Sequence, residues 1–222
     1  MNKMTEIFKL ARKNMVLNQL RPNKIKEENI LKAFESIPKE NYLTDNIQKN
    51  CYLDNDIDIT KKRGYLKNLN LAQLIKYSEI NRNDRVLHIG GLTGYFSTLL
   101  GKLCNELYVL EEDEVLFNLL KKNINQIDNE NTYLINGKLT EGLEGKSPFN
   151  LIIIDGPVYE LPQNIKKQIF NKGGRLTYIK KVNENLSKAY KITRNENLFS
   201  TEYLFDVMSK YSIQEKKEQF NF

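Results

Sequence analysis

The stretch Asp84-Arg85-Val86-Leu87-His88-Ile89-Gly90-Gly91-Leu92-Thr93-Gly94-Tyr95-Phe96-Ser97 narrows the folds open to this chain more than any other. A polar lead-in gives way to an apolar run, then to three glycines within five residues, then to a helical apolar pattern from Tyr95 to Leu103. The order is strand, tight loop, helix. Glycines at the carboxyl end of a buried parallel strand let the backbone approach a ligand closely, and the helix that follows offers N–H groups with no partner inside the helix. Gly90, Gly91 and Gly94 are therefore candidates for holding a nucleotide-like cofactor. Roughly twenty residues on, a second apolar run, Leu107 to Leu110, ends in Glu111-Glu112-Asp113, and an acid at the end of the second strand is where nucleotide-binding α/β folds hold the two ribose hydroxyls. Glu111 and Glu112 are the candidates for that contact.

The dinucleotide form of this motif wants glycines at positions one, three and six of the loop, where this chain has Gly90, Leu92 and Tyr95. The NAD fingerprint therefore fails. The loop reads more like the E/D-x-G-x-G-x-G turn of S-adenosylmethionine-dependent methyltransferases, with His88 in place of the usual acid and Leu92 in place of the middle glycine. His88 has two readings, a contact to the amino-acid end of such a cofactor or a residue that completes the strand.

Residues 1 to 50 read as helical, with Pro22 interrupting a first segment and Pro38 ending a second, whose Ile30, Leu31, Ala33, Phe34 and Ile37 face a core. From Cys51 to Asn68 an alternating extended segment leads into the basic loop Thr60-Lys61-Lys62-Arg63-Gly64-Tyr65. That loop is either a solvated turn or the place where a cation meets an anionic substrate group above the cofactor. Leu69 to Ile80 predict an amphipathic helix, and Val115 to Ile127 another. Thr132 to Ile135 predict a short strand ending at Asn136-Gly137, where a side-chain amide suits adenine. Leu151-Ile152-Ile153-Ile154 is the most clearly buried strand and ends in Asp155-Gly156-Pro157. Because ligands collect where parallel strands end, Asp155 is a site candidate, or else a polar stop to the strand. A helix from Leu161 to Phe170, a fifth strand from Arg175 to Lys180 and two final strands, Tyr190 to Arg194 and Thr201 to Met208, complete the pattern, with a charged tail from Gln214 to Gln219. Strands alternating with helices indicate one doubly wound α/β domain over residues 1–222, with a helical cap and substrate-loop region (1–80) ahead of a cofactor-binding sheet (81–222).

Composition matters mainly for what it excludes. The net charge of +6 is spread over scattered lysines, with no arginine-rich arm, so it describes a solvated surface and not a nucleic-acid footprint. Cys51 and Cys104 stand far apart, in no metal-binding or redox spacing, as reduced thiols of a cytoplasmic protein would, and a single histidine argues against zinc. No apolar run reaches the length of a membrane span, and the first residues lack the apolar core of a signal peptide.

The order of these features resembles one family along nearly the whole chain. Arg12-Lys13-Asn14-Met15-Val16 with Gln19 and Arg21 resembles R-x-x-M-V…Q…R, and Ile37-Pro38-Lys39-Glu40-Asn41-Tyr42-Leu43 resembles I-P-R-E-x-F-V. Asp84-Arg85-Val86-Leu87, Ile89-Gly90 and Gly94-Tyr95 match a cofactor loop, Glu111 a ribose acid, and Gly173-Gly174-Arg175-Leu176 a late G-G-R-L. These are patterns of the protein-L-isoaspartate O-methyltransferases, which repair isomerised aspartyl residues with S-adenosylmethionine. The resemblance implies a seven-stranded sheet whose last strand is reversed, S-adenosylmethionine as cofactor with S-adenosylhomocysteine as product, and a protein or peptide carboxylate as acceptor. The family's substrate loop is G-x-G-Q-x-x-S-x-P; placed without gaps from the cofactor strand, those positions hold Thr60, Lys62, Arg63, Leu66 and Asn68. Thr60 and Arg63 become the candidates for the acceptor side. Methyl transfer to an ionised carboxylate needs no general base, so positioning supplies most of the rate. Three readings follow: a repair methyltransferase, a methyltransferase with a changed acceptor, and a non-catalytic relative whose pocket is partly filled by Leu92 and His88.

Overall fold

The computed structural model describes residues 3–125 and 130–214. The leading region is helical, as its apolar spacing predicts. Helix α1 (Lys3–Met15) runs into a π-helical turn (Val16–Leu20), and α2 (Glu28–Ser36) stops before Pro38. A short α3 (Asp45–Gln48) precedes a small hairpin of β1 (Ile57–Asp58) and β2 (Gly64–Tyr65), which carries the basic loop, and then α4 (Asn68–Ser78). The main sheet contains β3 (Arg85–Ile89), β4 (Glu106–Glu111), β5 (Thr132–Asn136), β6 (Leu151–Val158), β7 (Lys172–Lys181), β8 (Leu186–Asn195) and β9 (Leu198–Met208). Helices α5 (Tyr95–Gly101), α6 (Glu114–Ile124) and α7 (Gln163–Lys167) connect its parallel part.

The seven strands lie in the order β5-β4-β3-β6-β7-β8-β9. Strands β3 to β7 are mutually parallel, so the crossovers leave β3 in opposite directions and the switch point falls between β3 and β6. The reversed strand is β8, one place earlier than expected. Both β7–β8 and β8–β9 are antiparallel pairs, so β9 turns back and runs with the core. The cause is local: β8 and β9 are separated only by Glu196 and Asn197, with Glu196 in the left-handed region (φ 57°), a hairpin that leaves no length for a crossover helix.

Alternation along the strands separates two cores. Val86, Val109, Leu151 and Ile153 face a layer made by α4, α5, α6 and the cap, with Leu20, Leu31, Phe34, Leu74 and Phe96 in the same cluster. Leu87, Ile89, Ile152, Ile154 and Leu176 face a thinner layer of Leu139, Phe149, Leu161, Ile165 and Ile169. The predicted helix over 161–170 shrinks to five residues there, because Pro162 delays its start and Gly173-Gly174 enter β7 directly. Arg175, of the G-G-R-L stretch, clamps the base of the central strand, its Nε donating to the Ser78 carbonyl at 2.9 Å and its Nη2 to Asp84 at 2.5 Å.

Candidate active site

Residues Val86 to Gly101, the strand, turn and helix on which the sequence reading centred, are all buried. Gly90 and Gly94 take positive φ (99° and 102°), which an L side chain resists. Gly91 is needed for packing instead: a Cβ there would lie 2.7 Å from Val109 and 2.9 Å from Leu120. Leu92 also holds a left-handed backbone (φ 50°), a strain of about 1–2 kcal/mol for a residue with a Cβ. Its buried side chain forms part of the cleft wall.

Glu111 sits at the carboxyl end of β4, fully buried, with its carboxylate aimed at the glycine turn. Leu92 N–H donates to it at 2.9 Å, and the N–H groups of Glu112 and Asp113 each donate at 3.1 Å. Arg63 supplies two further bonds as a fork, Nη1 to Oε1 at 2.6 Å and Nη2 to Oε2 at 2.8 Å, with side-chain exposures of 11% for Arg63 and 0% for Glu111. Burial opposes the guanidinium charge. Hydrogen bonding and attraction from Glu111, aided by Asp155 and Glu112, outweigh that and hold the Arg63 pKa above its ordinary value. Arg63 therefore turns inward to the acid and does not present its charge to an acceptor.

Thr60, the other acceptor-side candidate, makes the turn that aims this arm. Its Oγ1 accepts from Arg63 N–H at 3.0 Å and from Lys62 N–H at 3.3 Å. Lys61 and Lys62 are exposed, as in a solvated turn. Leu66 is core, and Asn68 is buried, accepting from Lys39 Nζ at 2.9 Å and donating to the Cys51 carbonyl at 3.1 Å.

His88 is fully buried. Its Nδ1 lies 2.9 Å from Ser97 Oγ, and its Nε2 lies 3.2 Å from Asp155 Oδ1. The ring also meets Phe96 edge-on, so His88 packs beneath the glycine turn between Ser97 and Asp155. Asp155, at the end of the straight part of β6, faces Gly90 across the switch point, where a Cβ on the glycine would lie 3.5 Å from its Oδ1. Asn136 is exposed and donates to the Glu111 carbonyl at 3.2 Å; Gly137 N–H donates to the same carbonyl at 3.1 Å. Glu112 projects outward and accepts from Leu139 N–H at 3.1 Å. The fold thus gathers Gly90, Glu111, Asp155 and Arg63 into one cluster, with Asn136 and Gly137 beside it and Glu112 turned to the rim.

Residues with no local sequence signal for this place close the cleft. Ser209 to Gln214 form a strap: Ser212 N–H donates to the Lys62 carbonyl at 3.1 Å, and Ile213 N–H to the Pro157 carbonyl at 2.9 Å. A Cβ on Gly64 would fall 2.5 Å from the Tyr211 ring, and one on Gly156 would fall 2.3 Å from Ile213. Glycine next to a strand end is the one local signal of such close approach. The space left among Arg63, Gly90, Leu92, Asp155, Tyr211 and Ile213 is about 10 Å³, enough for one water, whereas small-molecule sites run to hundreds of Å³. Among the described residues, a hollow of about 280 Å³ lies by Pro38, Tyr42 and Thr98, and one of about 480 Å³ lies by Asp54, Asp56, Lys67 and the end of β9 at Met208, on the far side of Tyr211 from Glu111 and the glycine turn, neither of which lines it. Within the same residues no group of three acidic, histidine or cysteine side chains could hold a metal, and no helix is long and apolar enough to cross a membrane.

Comparison with known proteins bears on the same elements. The model of the protein-L-isoaspartate(D-aspartate) O-methyltransferase family matches residues 11–209. A protein-L-isoaspartate O-methyltransferase of Koribacter versatilis is 28% identical over 169 residues, 76% of each chain, and one of Dictyoglomus turgidum is 26% identical over 197 residues, 89% of this chain and 88% of the other. A solved structure of a protein-L-isoaspartate O-methyltransferase superimposes with a TM-score of 0.78 at 20% identity, covering 92% of this chain and 66% of that one. This last likeness carries the fold.

Proposed function

Because this chain belongs to the protein-L-isoaspartate(D-aspartate) O-methyltransferase family, we propose that it transfers a methyl group from S-adenosylmethionine to a carboxylate of a protein or peptide, with the isoaspartyl carboxylate as acceptor. One observation carries the reading: the family match runs through both the glycine turn and the acid after the second strand, and in the fold these meet, Leu92 N–H to Glu111 at 2.9 Å. When bound, the cofactor supplies an electrophilic methyl group on a sulfonium. The acceptor is ionised at neutral pH, so this chain's residues have to bind, orient and exclude water, with no proton to move.

The donor set suits an adenosyl group in kind. Glu111 is the acid for the ribose, the positive-φ Gly90 leaves backbone open beside Asp155, and Asn136 lies at the neighbouring strand end. The space does not suit it. Glu111 already accepts five hydrogen bonds, against roughly four lone-pair sites on a carboxylate, and the remaining cavity of about 10 Å³ excludes a nucleoside. In this arrangement the residues do not fit the cofactor.

The buried thiols Cys51 and Cys104 suit a reducing compartment such as the cytoplasm. A changed acceptor is the second reading: Thr60, Leu66 and Asn68 serve as turn, core and buried hydrogen-bond partner in the acceptor loop, while the family match supports repair. Methyl transfer from labelled S-adenosylmethionine to an isoaspartyl peptide and to its aspartyl twin tests the proposal. Label confined to the isoaspartyl peptide is expected; equal or absent label on the two counts against repair.

A further inference from the structure

We propose that Arg63 is an internal competitor for the ribose site: its guanidinium holds the carboxylate that sugar hydroxyls would use, and an adenosyl group enters only when the Arg63 arm withdraws. The inference rests on the cofactor use proposed above but not on the identity of the acceptor.

Three observations carry it. The fork from Arg63 takes both oxygens of Glu111 as a bidentate pair between two ionised groups, whereas a sugar hydroxyl brings no charge of its own to the carboxylate. A ligand that replaces Arg63 therefore exchanges stronger bonds for weaker ones, and its apparent affinity falls by the fraction of molecules in which the arm is already out. Second, the arm stands at the turn of a hairpin whose strands have two residues each, with Lys61 and Lys62 at an exposed tip, so the turn can shift while Tyr65 keeps the base of the hairpin fastened. Third, what lies over the arm is tied to it: the strap bonds to the Lys62 carbonyl and seats Tyr211 on Gly64, so withdrawal of the arm frees the strap at the same place.

Calorimetric titration with S-adenosylhomocysteine of the wild-type chain, Arg63→Met and the double variant Arg63→Met/Glu111→Ala tests this. Methionine keeps an apolar stem in the same groove without the fork. Arg63→Met should bind at least about tenfold tighter than wild type, and the double variant should lose that gain, because the freed acid is what the ribose takes. Equal affinity of wild type and Arg63→Met overturns the proposal, as does a folded Arg63→Met that shows no heat at millimolar ligand. Hydrogen exchange on the wild-type chain reads the same step without a substitution. At saturating S-adenosylhomocysteine the amides of residues 60–64 should exchange faster than in the free protein, and unchanged protection with ligand bound overturns it. If Arg63→Met binds but labels no isoaspartyl peptide, the competitor stands and the repair reading falls.

Discussion

The Tyr65 hydroxyl lies 2.9 Å from Thr93 Oγ1 and accepts from Tyr95 N–H at 3.0 Å, fastening the hairpin that carries Arg63 to the start of the helix after the glycine turn. Tyr65 is fully buried, and burial pushes its phenol well up from the ordinary value, so it stays protonated at any physiological pH. Tyr65→Phe keeps the ring packing but leaves a buried N–H and a hydroxyl with one partner fewer. A loss of about 1–3 kcal/mol is expected from urea unfolding. A change within error would mean that the ring alone fastens the hairpin.

The pair Arg63–Glu111 should be asymmetric. In Glu111→Ala the guanidinium loses its counter-charge, and three backbone N–H groups lose their acceptor together, a cost of about 3–5 kcal/mol. In Arg63→Met the carboxylate keeps those three donors, so a smaller cost is expected. Equal midpoints for the two variants in denaturant would contradict the assignment of Glu111 as the hub of the cluster.

Lys39 should give stability a slope in alkaline pH. Its ammonium is fully buried, lying 5.4 Å from the centre of the Tyr65 ring and 5.1 Å from that of Tyr95. Desolvation lowers its pKa to about 7, against weaker opposing pulls from Cys51 and Asp56. Between that value and the ordinary lysine range the unfolded chain holds a proton that the folded chain lacks, so stability rises with pH there; below about 7 both states are charged and the gain is gone. The difference between wild type and Lys39→Met, which cancels other titrating groups, should grow in favour of wild type by a few kcal/mol from pH 7 to 10. Parallel curves would show that Lys39 keeps its proton when folded.

Gly156 and Ile213 should behave as a coupled pair. Gly156→Ala puts a methyl group into Ile213 Cγ2 and should cost about 1–3 kcal/mol while loosening the strap. Adding Ile213→Ala removes the obstacle, so the double variant should be more stable than the sum of the single changes predicts. Strict additivity in a double-mutant cycle would show that the strap does not rest on Gly156.

Much of the parallel half of the molecule could be read from local pattern. The apolar runs at 86–89, 107–110 and 151–154 are the innermost strands because a strand covered on both faces has no polar side to spare. The turn at Gly90 and the acid at Glu111 were legible for a related reason, since positive φ and a strand-end carboxylate leave marks at single positions. The helix limits were less so: the pattern over 115–127 becomes α6, ending at Ile124, and Ile127 lies outside the described residues, as does most of the charged tail from 215 on. The direction of the last strand depended on a two-residue hairpin, and the length of α7 on a single proline.

What the sequence determined by itself was the innermost strands, the glycine turn and the kinds of group at the strand ends, because hydrophobic period and backbone freedom act over a few neighbouring residues. Which of those groups is free to act was decided only in the tertiary structure. Arg63 reaches Glu111 across 48 positions of chain, and Tyr211 reaches Asp58 across 153. Such partners are chosen by the path of the folded backbone, and a charge that reads as solvated from its neighbours becomes the stopper of a cleft once packing carries it inside.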